Sequence, residues 1–570
     1  MITFRDVVRR ERVAEKLAAL ETHLVGGDAE AALLEAGELE QGVLDVCRPA
    51  RDDRGEVERM LRRFIHATAA AYLARRERDA ASEHLATARS ALDRLRRAEL
   101  PAWIEVRAPE GFAHYALDPA GYAHAATQYA REVGPEHAAR AVVVGVRSIG
   151  TTLSAIVAAA IGAERSLAVR PRGPSGTRRV AATPALSSAM LEWRGAAGDV
   201  LIVDEGPGAT GETFRCVARW LIEVGIPAAR IVLFPSHLQP PAFGDPAVGA
   251  FFTAARRYAP PFDGGRVERV CARFDLSQPV ELSGGRWREV VAGAADAVAF
   301  PRHERLKYLA SDRDGHAHLI RYAGLGREGA ASAARAERLA ATGVGARVVG
   351  CEAGFLVTEW TVGDRLSPAC VASRDFGRAL AAYLAARTPL FRTGAAVDVV
   401  PVAAMLHENA TEALGTAPAG LAAALARLDR LTEREAAIAD ARLQTREWVR
   451  LPNGGFRKLD AIDHGDGVRL PGPADPAWDV AGAAVEFRLD DAAVDVLVER
   501  CARAAGESAA ALARAVAAYR APYAACQLGE VALSAREGLA ETDRARLLRE
   551  ADRYTHLLRC ELARAEVAHG

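Results

Sequence analysis

A chain of 570 residues with 73 basic and 74 acidic side chains has a formal charge of −1, so no global positive field exists to hold a nucleic-acid backbone or an anionic membrane. Half of the residues are hydrophobic and 26% are charged, which excludes global disorder, and the length accommodates three or four domains. The longest apolar stretches, such as residues 154–163, fall short of the roughly 18–20 residues of a membrane-spanning helix. The first residues lack the basic and apolar regions of a secretory signal, and a cytoplasmic location is expected. The eight cysteines lie far apart, with no CxxC and no His/Cys cluster at zinc spacing, and read as buried or incidental thiols. Lysine occurs only at Lys16, Lys307 and Lys458; together with abundant alanine, this arginine bias points to a GC-rich bacterial genome.

From Phe4 to about Leu100, charged and apolar residues interleave at helical spacing, most clearly over 57–97, with breaks at Gly26, Gly27 and 52–55. The segment is expected to be a helical region, 1–100, suited equally to packing within the chain and to oligomerisation. Arg62, Arg63, Arg75, Arg76 and Arg78 read as a solvated face. After Pro101, short apolar runs alternate with glycine-rich turns and helical stretches, the pattern of a parallel sheet flanked by helices. Strands are expected at 141–146, 166–170, 200–203 and 230–234. Helices are expected at 120–133, 153–161 and 213–224, the first opened by Asp118 and Pro119. A looser stretch to about Gly293 closes this domain, 101–293, and a third region, 294–570, follows.

Val200-Leu-Ile-Val-Asp-Glu-Gly-Pro-Gly-Ala-Thr-Gly-Glu-Thr-Phe214 combines a buried strand, an acid pair at its carboxyl end and a glycine-rich loop opening a helix. Open α/β sheets bind ligands at such a place. Backbone amides and hydroxyls from Ala209, Thr210, Gly211, Glu212 and Thr213 suit a phosphate, while Asp204 and Glu205 suit ribose hydroxyls or Mg2+. The stretch resembles the PRPP-binding signature of type I phosphoribosyltransferases. That resemblance implies a pyrophosphate loop at Arg147, Ser148, Gly150, Thr151 and Thr152, and a mobile lid at 169–179 in which Arg170 and Arg172 neutralise a diphosphate. It also makes Asp204 and Glu205 the catalytic and metal-holding pair, with Mg-PRPP as substrate. The spacer Gly206-Pro-Gly-Ala209 is one residue longer than the usual three, so a bulge or a different mode of binding is expected there.

A second informative stretch begins Asp460-Ala-Ile-Asp-His-Gly-Asp-Gly467 and continues to Asp475-Pro-Ala-Trp-Asp479, which leads into a helical run. It resembles the C-lobe of aminoglycoside and choline phosphotransferases, a group with the protein-kinase fold. By that resemblance Asp463 is the metal candidate, with Asp460 and Asp466 as rivals, and Asp475 and Asp479 are structural. The upstream order fits an N-lobe: strands at 318–323, 346–349 and 355–359, a helix at 330–341, and a hinge at 360–366. The usual His-Gly-Asp and metal-binding Asn are missing near 441–448. Glu447 stands in for the asparagine, Arg442 falls where the catalytic acid belongs, and Asp440 is two residues early. Arg321 takes the place of the nucleotide-contacting lysine, so a pseudokinase-like domain is expected, with ATP as a further candidate ligand. His464 reads as a loop histidine bonded to backbone, Trp448 and Trp478 as core anchors, and 541–567 as an amphipathic packing helix.

The fold expected is therefore α/β: a helical N-terminal region, a parallel-sheet phosphoribosyltransferase-like domain and an α+β kinase-like C-terminal domain. The leading function is Mg-PRPP-dependent phosphoribosyl transfer, or PRPP or nucleotide binding. Its competitors are a non-catalytic sensor or scaffold for phosphorylated ligands and an atypical ATP-dependent phosphotransferase. The expected partners are a small phosphorylated metabolite or nucleotide, with a homo-oligomer or partner enzyme left open.

Overall fold

Runs of β-branched residues bounded by glycine turns form the central strands of a parallel sheet in the computed structural model, as such runs do when both faces are covered by helices. The structure describes the chain except residues 5–6, 76–77, 175, 197, 209, 242–245, 262–264, 292, 301–303, 432–433, 463, 466–468, 471, 538 and 568–570. Two units are formed, one from Val7–Arg266 with Leu325–Arg327, the other from Met1–Asp6, Val267–Gly324 and Glu328–Gly570.

In the first unit the strands lie in the order Arg165–Val169, Val142–Val146, Val200–Val203, Ile231–Phe234, Arg256–Arg257, all parallel. The chain starts at Val142–Val146, steps outward to Arg165–Val169, then crosses back to Val200–Val203. The order of winding therefore reverses between Val142–Val146 and Val200–Val203, the crevice in which open sheets hold ligands. Three of the four expected strands and the three expected helices shift by a few residues at one or both ends, and Val200–Val203 is unchanged.

The N-terminal helices are part of this unit and share its core. Ala29–Cys47 and Glu56–Ala74 cover Gly150–Ile161, and Leu33, Phe64, Val143 and Leu153 belong to one apolar cluster. Gly37 is the point of closest approach, where a Cβ would stand 1.9 Å from Thr152 Oγ1. The reading of 4–100 as continuous helix needs correction: Val8–Arg12 is a strand, paired antiparallel with Trp103–Arg107. Its partner lies some ninety residues downstream, beyond any local periodicity. Arg62 is likewise no solvated residue, being buried with Nε 2.6 Å from Glu40 and Nη1 3.1 Å from Ser154 Oγ.

In the second unit an antiparallel sheet runs in the order Val280–Glu281, Lys307–Ser311, Ala317–Tyr322, Phe355–Glu359, Val348–Glu352. Val280–Glu281 joins it, so the sheet draws on residues that the sequence places in the preceding domain. Helices Arg374–Leu390, Ala477–Glu486, Ala509–Ser534 and Glu541–Val567 build a second apolar cluster in which Trp448 and Trp478 are buried, as expected of anchors. The chain's first residues belong here too: Ile2 N–H donates to Asn409 Oδ1 at 2.6 Å and Leu470 N–H to the Thr3 carbonyl at 3.0 Å. All eight cysteines are free, and no described helix is long and apolar enough to cross a membrane.

Candidate functional site

The reversal of the parallel sheet places Asp204 at the end of its central strand, with Glu205 beside it. Glu205 N–H donates to Asp204 Oδ1 at 2.9 Å, Gly111 N–H to Glu205 Oε2 at 2.9 Å, and the Tyr122 hydroxyl to the Asp204 carbonyl at 2.9 Å. Burial pushes the Asp204 carboxyl up to about 7, against the Glu205 amide and Arg170, which favour its charge. Burial, with Asp204 and Glu110 nearby, pushes Glu205 up to about 8. Two carboxyls raised in this way would have to release protons to take up a divalent cation. The loop beyond them turns through left-handed glycines at Gly208 and Gly211, and Glu212 reaches back to accept the Arg178 amide at 3.1 Å. Thr210 is exposed and Thr213 half-buried, while Ala209 lies outside the described residues.

The arginines expected to meet a diphosphate already have partners. Arg172 makes a two-pronged contact with Asp52 at 3.0 Å on each oxygen, Arg147 is buried against the same carboxylate, and Arg170 donates to Asp45 Oδ1 at 3.0 Å. Asp52 is itself pinned by the Ala181 carbonyl, which accepts its amide at 2.7 Å. Thr151 and Thr152, expected on an open pyrophosphate loop, are buried instead, because the N-terminal helices lie over that turn; Gly150 is buried as well, and Ser148 is half-buried. Sequence reading missed Asp45 and Asp52. Their one signal is a pair of adjacent acids, Asp52-Asp53, in a helix break flanked by arginines.

In the second unit, Arg321 and Lys307 face each other across neighbouring strands. Arg321, which takes the place of the nucleotide-contacting lysine by resemblance, is ion-paired, with Nη1 2.8 Å from Asp460 Oδ1. Burial alone would raise the Asp460 carboxyl, but Arg321, His464 and Lys307 hold it well below the usual range. His464 joins Asp460 to a second acid, with Nε2 3.1 Å from Asp460 and Nδ1 3.9 Å from Asp440. Its partners are carboxylates rather than the backbone expected from sequence. Burial opposes its charge, yet Asp460 and Asp440 raise it above its ordinary value.

Asp440 follows the strand Glu435–Ile438 and is wholly buried. It accepts from the Tyr383 hydroxyl, and its Oδ1 lies 3.3 Å from Lys458 Nζ. Despite burial, Lys458, His464 and Arg387 keep it well below the usual carboxylate range. Asp479 locks the turn by accepting the amides of Asp440 and Ala441 at 2.8 and 3.0 Å, the structural role assigned to it. The acid at the centre of the cluster is thus Asp440, not the position of Arg442, which turns away to Glu530. Glu447 stands beside Arg446 at 3.8 Å, and Asp463 and Asp466 lie outside the described residues. A cavity of about 50 Å³ bounded by Phe4, Arg442, His464, Arg469 and Glu530 adjoins the cluster.

No protein-family model and no curated protein sequence matches the chain. Among solved structures, about half of it is similar to a choline kinase from Streptococcus pneumoniae, at 14% identity over 51% of this chain and 96% of that one, with a TM-score of 0.32. A choline/ethanolamine kinase family protein from Mesorhizobium loti aligns at 19% identity over 50% and 98%, also with a TM-score of 0.32. An aminoglycoside phosphotransferase from Alicyclobacillus acidocaldarius aligns at 14% over 55% and 98%, with a TM-score of 0.34.

Proposed function

We propose that the unit built on the antiparallel sheet is an atypical ATP-dependent phosphotransferase module acting on a small hydroxylated acceptor. The observation that carries this reading is the ion pair of Arg321 with Asp460, beside Lys307 on the neighbouring strand, with His464 lying between Asp460 and Asp440. With Asp460 exchanging its contact with Arg321 for Mg2+, for which a carboxylate oxygen is suited, the guanidinium beside Lys307 would be released to phosphate oxygens of a nucleotide. His464 borders the neighbouring cavity, where its ring, kept charged by Asp460 and Asp440, suits stabilising the negative charge on the γ-phosphoryl group as it leaves ADP for an acceptor hydroxyl. Calorimetric titration of Mg-ATP should give micromolar binding by the wild type, weakened at least about tenfold by Arg321→Met, the equivalent of 1.4 kcal/mol. Equal binding by the variant removes the reading. Binding without ADP release across a panel of amino-alcohol and sugar acceptors would assign the unit to sensing instead.

A second reading is favoured by the acid pair at the reversal of the parallel sheet: binding of Mg-PRPP, or phosphoribosyl transfer from it, in the first unit. Asp204 and Glu205 would hold the cation and ribose, and the Thr210–Thr213 turn a phosphate. Titration of Mg-PRPP should show binding that Asp204→Ala/Glu205→Ala abolishes. No binding by folded wild type ends this reading and leaves the first untouched.

A further inference from the structure

We propose that the turn joining the strands Lys307–Ser311 and Ala317–Tyr322 is a binding site for a borderline divalent transition metal, zinc(II) foremost, held by Asp312, Asp314, His316 and His318. The site is independent of the phosphotransferase reading. Donor side chains stand at every second position of Asp312-Arg-Asp-Gly-His-Ala-His318, and the left-handed Gly315 folds the turn so that they meet. Asp312 Oδ1 accepts the amides of Asp314 and His316 at 3.0 and 2.9 Å, which fixes the carboxylate. Its other oxygen, Oδ2, then lies 3.3 Å from His316 Nδ1 and 3.1 Å from His318 Nε2. Donor atoms of Asp312, Asp314 and His316 all fall within 4.8 Å of one another. Around a tetrahedral ion with bonds of 2.0–2.2 Å, ligand atoms stand roughly 3.3 Å apart, which the two spacings from Asp312 Oδ2 match.

A second observation comes from burial. His318 is 4% exposed and aims Nε2 into the turn, while its Nδ1 is buried with no hydrogen-bond partner. The polar contact of this buried ring is the one it makes inside the turn, with Asp312 Oδ2. Asp314 and His316 are exposed and leave one side open for entry of the ion and a water. Two imidazoles with two carboxylates suit zinc and its neighbours rather than Mg2+ or Ca2+, which favour all-oxygen sets. The ion would tie the two strands together three residues before Arg321 and so stiffen the strand that carries it.

The test uses the tag-free full chain after treatment with EDTA, titrated with zinc(II) by calorimetry and with cobalt(II) by visible absorption. One zinc per chain is expected, unaffected by excess Mg2+, with the d–d bands of a four-coordinate cobalt site. His316→Gln and Asp314→Asn change exposed residues and should each weaken binding at least about tenfold with an unchanged circular dichroism spectrum. No zinc uptake by the wild type overturns the proposal, and so does uptake that survives the combined His316→Gln/Asp314→Asn change.

Discussion

Replacing Lys458 by methionine is expected to lower stability by about 3–5 kcal/mol, the usual cost of leaving one member of a buried ion pair alone. Lys458 and Asp440 have wholly buried side chains, and Lys458 also donates to the Leu459 carbonyl at 2.7 Å. Without the ammonium group, the Asp440 carboxylate keeps the Tyr383 hydroxyl, His464 and Arg387 but loses its strongest charge partner. The loss should appear as a lower urea midpoint of the unit built on the antiparallel sheet. Asp440→Asn in the same chain removes the orphaned charge and should recover most of it, giving a coupling energy of a few kcal/mol in a double-mutant cycle. A Lys458→Met variant as stable as the wild type, or a double variant that shows simple additivity, would mean that Asp440 is neutralised by other groups.

The metal-free protein should lose thermal stability as pH rises from about 5 to 8, opposite to the trend set by ordinary paired carboxylates. Asp204 and Glu205 titrate in the fold near 7 and 8, against ordinary values of 3.8 and 4.5. Raised folded values mean that the fold favours the protonated forms. The stability this contributes is complete below about pH 4 and is lost as pH climbs through the folded values, at up to about 1.4 kcal/mol per group for each pH step. Asp204 should carry the larger share because Glu205 is only half-buried. Asp204→Asn/Glu205→Gln should flatten the profile measured in EDTA, and Mg2+ should flatten that of the wild type. A slope that persists in the double variant would place its origin elsewhere.

Much of this was legible in the residues. The strands at Val200–Val203 and Phe355–Glu359 and the helix Glu541–Val567 have the bounds that periodicity assigns, because apolar runs and helical spacing are local properties. The acid pair at Asp204 and Glu205 was legible from its place after a strand, and the cation at Arg321 from the resemblance to the phosphotransferase group. Less legible was the central acid of the second unit. Counting along the sequence puts Arg442 in that place, whereas the strand Glu435–Ile438 ends early enough to set Asp440 there. Asp460 follows the strand Phe456–Lys458, whereas Asp463, the metal candidate by resemblance, and Asp466 lie outside the described residues.

By itself, then, the sequence determined the alternation of elements, the two regions rich in chemistry and the charge types within them. The tertiary structure decided which charges meet. Arg147, Arg170 and Arg172 look like free anion ligands in the chain, yet they face Asp45 and Asp52 from a segment more than ninety residues earlier. Asp312, His316 and His318 look like an ordinary polar turn until Gly315 brings their donor atoms together. Periodicity reports which way a side chain points relative to its own element, but a partner is fixed by packing between elements, and its charge decides whether a cation is open to a ligand or already neutralised.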